Sequence, residues 1–407
     1  MPLEVQIQNL AYGGDAMGRL PDGRAVFVPF CLPGERVLVE IVEEKRNFVR
    51  ARLVKVLQAS PERIEPRCPH FTECGGCHYQ HLPYEAQLAA KSAILQEQLQ
   101  RIAGIASPPM KPICPSPEAW NYRNNLQFHP GSGGRLGFEA AGSNRVIPIR
   151  ECHLPEPALD GFWQQLDIEP IPGLERVGLR SGSNGEILLT LESSTLDLPE
   201  MELDLPVSVV QLSPAGALVL AGEPLLWMQV LDTEFQVSAG SFFQVNTPMA
   251  GEMVRQALEW LQPNRQSILL DVYCGVGLFS RFFAPLVNTV IGVESSESAV
   301  DDYTVNLDAF DNVSAYLGAA EEILPHLELQ PTMVIVDPPR AGLALPALDA
   351  LVRMAAPQIL YVSCDPATLA RDVKRLAAAG YTLEAIRPFD LFPQTYHVES
   401  ISLLTRN

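Results

Sequence analysis

The sequence predicts an α/β protein whose largest part is a parallel sheet covered by helices, preceded by a small β-barrel and an α+β centre. Three observations carry this. Residues 237–407 alternate short apolar runs with helical patterns, the order that produces parallel strands joined by crossover helices. Residues 1–57 hold short apolar runs broken by Gly13-Gly14, Asp22-Gly23 and Pro33-Gly34, as in a small closed barrel. A chain of 407 residues also exceeds what one ordinary core covers.

The barrel strands are expected at Val5 to Ile7, Ala25 to Val28, Arg36 to Val42 and Phe48 to Val56. Lys45, Arg46, Phe48, Arg50, Arg52 and Lys55 interleave positive charge with an aromatic ring. That composition suits a surface that tracks phosphates and stacks a base, and it equally suits a solvated strand face.

The centre, residues 58–236, opens on Cys68-x5-Cys74-Gly75-Gly76-Cys77, three thiols within ten residues, with glycines that free the backbone to wrap a metal. A site of four thiolates needs one more ligand, and the thiolates alone suit an iron-sulfur cluster or tetrahedral zinc. A helix is expected over Tyr84 to Ala103. Strands are expected at Asn125 to Phe128, Arg135 to Phe138, Glu186 to Leu191 and Ser208 to Leu212, with the Pro-rich stretches 155–172 and 196–206 as loops. Cys31 stands alone and is read as core.

In residues 237–407 the strands are Ser267 to Val272, Thr289 to Val293, Met333 to Val336 and Ile359 to Ser363. Ligands of such a sheet bind beyond the carboxyl ends of its strands. Chemistry-bearing residues stand at those ends: Asp271 to Gly277, Glu294, Asp337-Pro-Pro-Arg340 and Cys364-Asp-Pro366. The glycine turn followed by an acidic strand end fits an adenosine-containing cofactor, and NAD and S-adenosylmethionine both remain open on these features. Asp337 is stiffened by two prolines into a rigid acceptor, unless it merely caps the next helix. A free cysteine is usually a small core residue. At a sheet's active edge Cys364 gains another use: a thiolate added to C6 of uracil turns the poorly nucleophilic C5 into an enolate carbon, and a carboxylate then removes the C5 proton. Glu399, on a C-terminal apolar strand, supplies that carboxylate.

These motifs carry two resemblances. Leu10-Ala-Tyr-Gly-Gly14, Gly18-Arg19, Val26-Phe-Val-Pro29 and Leu32-Pro-Gly-Glu35 resemble the TRAM domain, an OB-like RNA-binding barrel. Ser241-Phe-Phe-Gln-Val-Asn246, Asp271-Val-Tyr-Cys-Gly-Val-Gly277, Asp337-Pro-Pro-Arg-Ala-Gly342, Tyr361 to Asp372 and His397-Val-Glu-Ser400 resemble the RNA 5-methyluridine methyltransferases. That resemblance implies a class I (Rossmann-like) methyltransferase domain over 237–407. It implies Cys364 as nucleophile, Glu399 as base, and Gln244, Tyr273, Glu294 and Asp337 lining the pockets for S-adenosyl-L-methionine and the target base. It also implies Cys152 as the fourth ligand with Cys68, Cys74 and Cys77, in preference to Cys114, and a 4Fe-4S cluster in preference to zinc. Leu278 and Ala319 stand where some members carry Asn, and Cys274 inside the glycine turn is read as structural.

The implied partner is ribosomal or transfer RNA, with no membrane and no obligate protein partner. The net charge of -19 runs against a nucleic-acid ligand, which attracts clustered Lys and Arg. The acidity is local, however: residues 156–236 hold fourteen Asp or Glu against Arg176 and Arg180, whereas residues 1–67 hold ten basic and nine acidic side chains. No apolar run reaches the roughly eighteen residues of a membrane span, and no signal peptide opens the chain. A cytoplasmic protein is expected, its eight cysteines reduced or metal-bound rather than paired.

Overall fold

The computed structural model describes residues 2–131, 134–166, 168–169, 171–197 and 206–406. The chain begins as a five-stranded closed barrel of β1 (Leu3–Leu10), β2 (Ala16–Arg19), β3 (Ala25–Val28), β4 (Arg36–Glu44) and β5 (Phe48–Gln58), in the order β1-β2-β3-β5-β4. Pairing of β4 back onto β1 removes both open edges. Strand alternation sends Val5, Ile7, Val37, Val39, Val49 and Ala51 inward. The short β2 keeps the same alternation, with Ala16 and Gly18 buried and Met17 and Arg19 turned outward.

The cations of the barrel meet local acids. Arg52 pairs with Glu40, Arg50 with Asp15 at 3.1 Å, Lys45 with Glu43 at 2.8 Å and Arg24 with Glu44 at 2.7 Å. The basic interleaving on β5 faces an acidic β4, a cross-strand register that local composition does not show.

In the centre, α1 (Tyr84–Gln98) runs on through a π-helical turn at Leu99–Ala103, and Gly104 ends it in the left-handed region at φ 76°. The central sheet contains β6 (Asn125–Pro130), β7 (Leu136–Glu139), β8 (Val146–Pro148), β9 (Leu174–Ser181), β10 (Ile187–Ser193), β11 (Ser208–Ser213) and β12 (Gly216–Ala221), ordered β12-β11-β10-β9-β6-β7-β8. One stretch expected to be loop is helical: α2 (Pro157–Trp163) starts with proline at its first turn, where no N–H is missed, and buries Leu159, Phe162 and Trp163. The other, 196–206, lies largely outside the described residues. A hairpin of β13 (Leu225–Val230) and β14 (Thr233–Ser238) leads on.

Beyond it come α3 (Thr247–Leu261), β15 (Ile268–Val272), α4 (Leu278–Phe283), β16 (Thr289–Glu294), α5 (Glu297–Asn306), β17 (Val313–Leu317), α6 (Ala320–Ile323), β18 (Met333–Val336), α7 (Leu345–Met354), β19 (Gln358–Ser363), α8 (Pro366–Ala378), β20 (Thr382–Phe389) and β21 (Glu399–Thr405). The sheet order is β17-β16-β15-β18-β19-β21-β20. The four strands expected here are parallel, β17 adds a fifth parallel strand at the edge, and β21 inserts antiparallel between β19 and β20. One face packs on α3, α4 and α5 and the other on α6, α7 and α8. Leu95 and Leu99, from α1 and its extension, join the second face, so this helix covers the large sheet rather than the central one.

Candidate active site

The strand order reverses between the parallel neighbours β15 and β18, which opens a crevice beyond their carboxyl ends. The turn after β15 enters it through Tyr273 at φ 64°, then Gly275 at 53° and Gly277 at 91°. Gly277 is favoured by its φ of 91°, which L side chains rarely adopt, and by crowding, since a Cβ there would stand 2.5 Å from Leu307 Cδ1 and 3.0 Å from Tyr303 Cδ2. Glu294, ending β16, clamps this turn. Its Oε2 accepts the Gly275 N–H at 3.0 Å, and its Oε1 accepts those of Ser295 and Ser296 at 2.7 and 2.8 Å.

Asp271 and Asp337 end adjacent strands, and the Asp337 N–H donates to the Val272 carbonyl at 3.2 Å. Asp271 Oδ2 accepts from Ser280 N–H and Oγ, but its buried Oδ1 has no partner. Burial pushes Asp271 up to about 6 against those Ser280 bonds, and burial with the field of Asp271 pushes Asp337 up to about 7. No cation is among the groups acting on either carboxyl. Two desolvated carboxyls without a positive neighbour fit a cationic ligand, which S-adenosylmethionine is.

The next strand pair brings Cys364 and Glu399 together. Ser363 of β19 faces Ser400 of β21, and one further step of the antiparallel register sets Cys364 opposite Glu399. The two groups feel each other. Burial, then the fields of Glu399 and Asp337, push the Cys364 thiol up to about 12, and Arg340 opposes them. Glu399 is pushed up to about 8 by burial and by Asp337, again opposed by Arg340. Arg340 also hydrogen-bonds the ring of His397 at 3.2 Å, while burial and Arg340 lower that imidazole to about 3, leaving it neutral. Sequence reasoning gave Arg340 no role of its own; its place beside the rigid Asp337 was the available signal.

Gln244 stands apart from this cluster. It lines a cavity of about 1270 Å³ walled by Phe27, Arg50 and Arg52 of the barrel and Arg123 and His129 of the centre. Cys364, Glu399 and Asp337 are not among its walls. Phe242, 69% exposed, also lines it. Asn246 caps α3 through Met249 N–H and donates to the Leu391 carbonyl at 3.2 Å, fixing the end of the Ser241 to Asn246 stretch.

The same cavity is lined by Cys68, Cys74, Cys77 and Cys152. Burial raises all four thiols, and neighbouring thiols raise Cys77 and Cys152 further, the latter up to about 12. Cys114 lies elsewhere, bridged to Phe389. Among the described residues, no three Cys, His, Asp or Glu side chains form a group set to hold a metal ion. Cys31 and Cys274 are buried core residues, as expected. Leu278 is buried at the start of α4, and Ala319 precedes α6 without a side-chain cap. No helix is long and apolar enough to cross a membrane among the described residues.

A Rossmann-like sheet with this crevice, joined to an N-terminal barrel, defines a class I S-adenosylmethionine-dependent methyltransferase. Residues 223–407 match the family model of tRNA (uracil-5-)-methyltransferases, and residues 3–54 match the TRAM domain. An uncharacterized RNA methyltransferase of Thermosynechococcus vestitus is 34% identical over 99% of this chain and 98% of its own. One of Aquifex aeolicus is also 34% identical, over 99% and 98%. The crystal structure of the Pyrococcus abyssi tRNA (uracil-54, C5)-methyltransferase in complex with S-adenosyl-L-homocysteine superimposes with a TM-score of 0.74 at 26% identity, covering 99% of this chain and all of that one. The chain belongs to the RNA uracil-5 methyltransferase family, whose S-adenosylmethionine-dependent reaction places a methyl group on C5 of uridine.

Proposed function

We propose that the chain methylates a uridine of ribosomal or transfer RNA through a covalent adduct on Cys364, with Glu399 as the base. The observation that carries this is the β19–β21 register, which opposes Cys364 and Glu399 beside Arg340. The Cys364 thiolate adds to C6, and the ring electrons move onto the C4 carbonyl as an enolate. C5 then takes the methyl group that S-adenosylmethionine supplies as a sulfonium substituent. Glu399 accepts the C5 proton, the C5–C6 double bond re-forms and the C6–S bond breaks, returning the thiolate. Arg340 stabilises both anionic forms. Gln244, Tyr273, Glu294 and Asp337 line the cofactor and base pockets in this reading.

The three units run over 1–57, 58–236 and 237–407, and RNA occupies the cavity between barrel and centre in a cytoplasmic enzyme. Cys68, Cys74, Cys77 and Cys152 hold a 4Fe-4S cluster rather than zinc. Four half-buried thiols on one cavity support a metal, because a bound metal would supply the positive charge that lets them ionise against the burial that raises them. Its contribution is structural, tying 68–77 to 152, since transfer of a methyl cation moves no net electron.

The test is incubation with unmodified transfer or ribosomal RNA and methyl-labelled S-adenosylmethionine, then nucleoside analysis. Label in 5-methyluridine from a mapped fragment supports the reading and names the RNA. Label only in another nucleoside would overturn it.

A further inference from the structure

The turn between β1 and β2 leaves the barrel and reaches the edge of the large sheet. Tyr12 in this turn donates its hydroxyl to Asp365 Oδ2, 353 positions away in sequence. The other oxygen of Asp365 accepts the N–H groups of Ala367 and Thr368 at 3.0 and 2.9 Å and so caps α8. Around Cys364 the backbone closes on itself: the Asp365 N–H donates to Ser363 Oγ at 3.1 Å, and that hydroxyl donates to the Asp365 carbonyl at 3.0 Å. Cys364 is the single residue inside this loop. Whatever fixes the Asp365 carboxylate therefore bears on the backbone that carries the thiol.

The same turn touches the approach to the base. The Tyr12 ring meets Tyr396 edge to face, with centroids 6.4 Å apart, and Tyr396 stands three residues before Glu399. Gly14, at φ 92°, makes the approach possible, because a Cβ there would lie 2.8 Å from Tyr396 Cδ1.

We propose that Tyr12 is a positioning residue for methyl transfer: its hydroxyl holds Asp365, and through Asp365 the Cys364 loop, in the attacking orientation. The barrel thus completes the nucleophile's setting as well as contacting RNA. This rests on the covalent reading above. One charge-assisted hydrogen bond orients a group whose small misplacement slows attack.

The test compares wild type, Tyr12→Phe, Asp365→Ser and the double variant in the full-length protein. Tyr12→Phe keeps the ring on Tyr396, and Asp365→Ser keeps a cap for α8 without reaching Tyr12. Single-turnover methylation and the rate of adduct formation on RNA carrying 5-fluorouridine, whose C5 fluorine blocks release, are measured alongside the KM for RNA. Tyr12→Phe should slow both rates by about tenfold while KM and cofactor affinity stay within about twofold, and it should add nothing in the Asp365→Ser background. Unchanged rates, additive losses, or a raised KM with intact kcat would overturn the positioning role. Failure of the covalent reading shows separately, as full methylation by Cys364→Ala.

Discussion

The catalytic edge and the cysteine loop both gather groups that must become anions, and they differ in what balances the charge. Cys364, Glu399 and Asp337 are enclosed together, yet Arg340 stands beside two of them and a cationic cofactor visits. The four thiols on the cavity wall crowd one another, and Arg123 acts on Cys152 only as the weakest of its influences. In the proposed reading the anions at the sheet edge are needed for part of each turnover, so a fixed arginine and a transient ligand suffice. In the proposed reading the four thiols ionise only with a resident metal to balance them.

The largest effect that sharpens this contrast is at the nucleophile. Cys364→Ala should lower methylation at least about 10³-fold while S-adenosylmethionine binding, read by calorimetry, changes little. Retained turnover would break the distinction by removing the need for a transient anion. Glu399→Gln should slow release by roughly 10²–10⁴-fold and accumulate a protein–RNA adduct visible as a shifted band in denaturing gels.

At the other region, Cys77→Ser should abolish bound metal and lower Tm by several degrees. Iron and sulfide analysis of anaerobically purified wild type should give about four of each per chain. One zinc per chain would replace the cluster with an ion and leave the need for resident positive charge unchanged.

A smaller effect comes from pH. Glu399 titrates near 8 in the folded protein against an ordinary value of 4.5, so the native state holds a proton that the unfolded state releases. Its favourable contribution is whole below pH 4.5, declines above it, and is gone once pH has passed about 8. Glu399→Gln should therefore melt like wild type near pH 5 and above it at pH 8.5. Methylation by wild type should rise with pH toward 8, as Glu399 loses its proton. The smallest effect belongs to the barrel: Arg52→Ala removes one end of an exposed pair and should shift Tm by under about 1 °C, with a rise of roughly twofold in the KM for RNA.

How much of this was legible in the sequence depended on range. Asp337-Pro-Pro-Arg340 and Ser363-Cys-Asp-Pro366 announced themselves because each stands directly after a buried strand, where local backbone chemistry alone fixes a side chain's place. The opposition of Cys364 and Glu399 was legible only as a requirement, since the register of β21 is set by packing along its whole length. The Tyr12–Asp365 bond left no local signal at all. Barrel cations looked available for phosphate because composition does not say that β4 lies alongside with Glu40, Glu43 and Glu44. The helix at Pro157 was masked by its prolines, although proline is at ease in a first turn.

Helix α1 bears on anyone who would transplant the methylating unit. Lys91, fully buried, donates to Asp390 Oδ1 at 2.5 Å and to the Phe392 carbonyl at 2.9 Å, and Gln87 exchanges two hydrogen bonds of 3.0 Å with Gln394. A graft cut at 237 would leave Asp390 inside a core with no counter-ion, a loss of the order of 3–5 kcal/mol. The portable cassette is therefore discontinuous: it carries residues 84–103 with 223–407, because the β13–β14 hairpin sends Met228, Val230 and Phe235 into the core of the large sheet, and any exchange of RNA-binding parts has to be made around that helix.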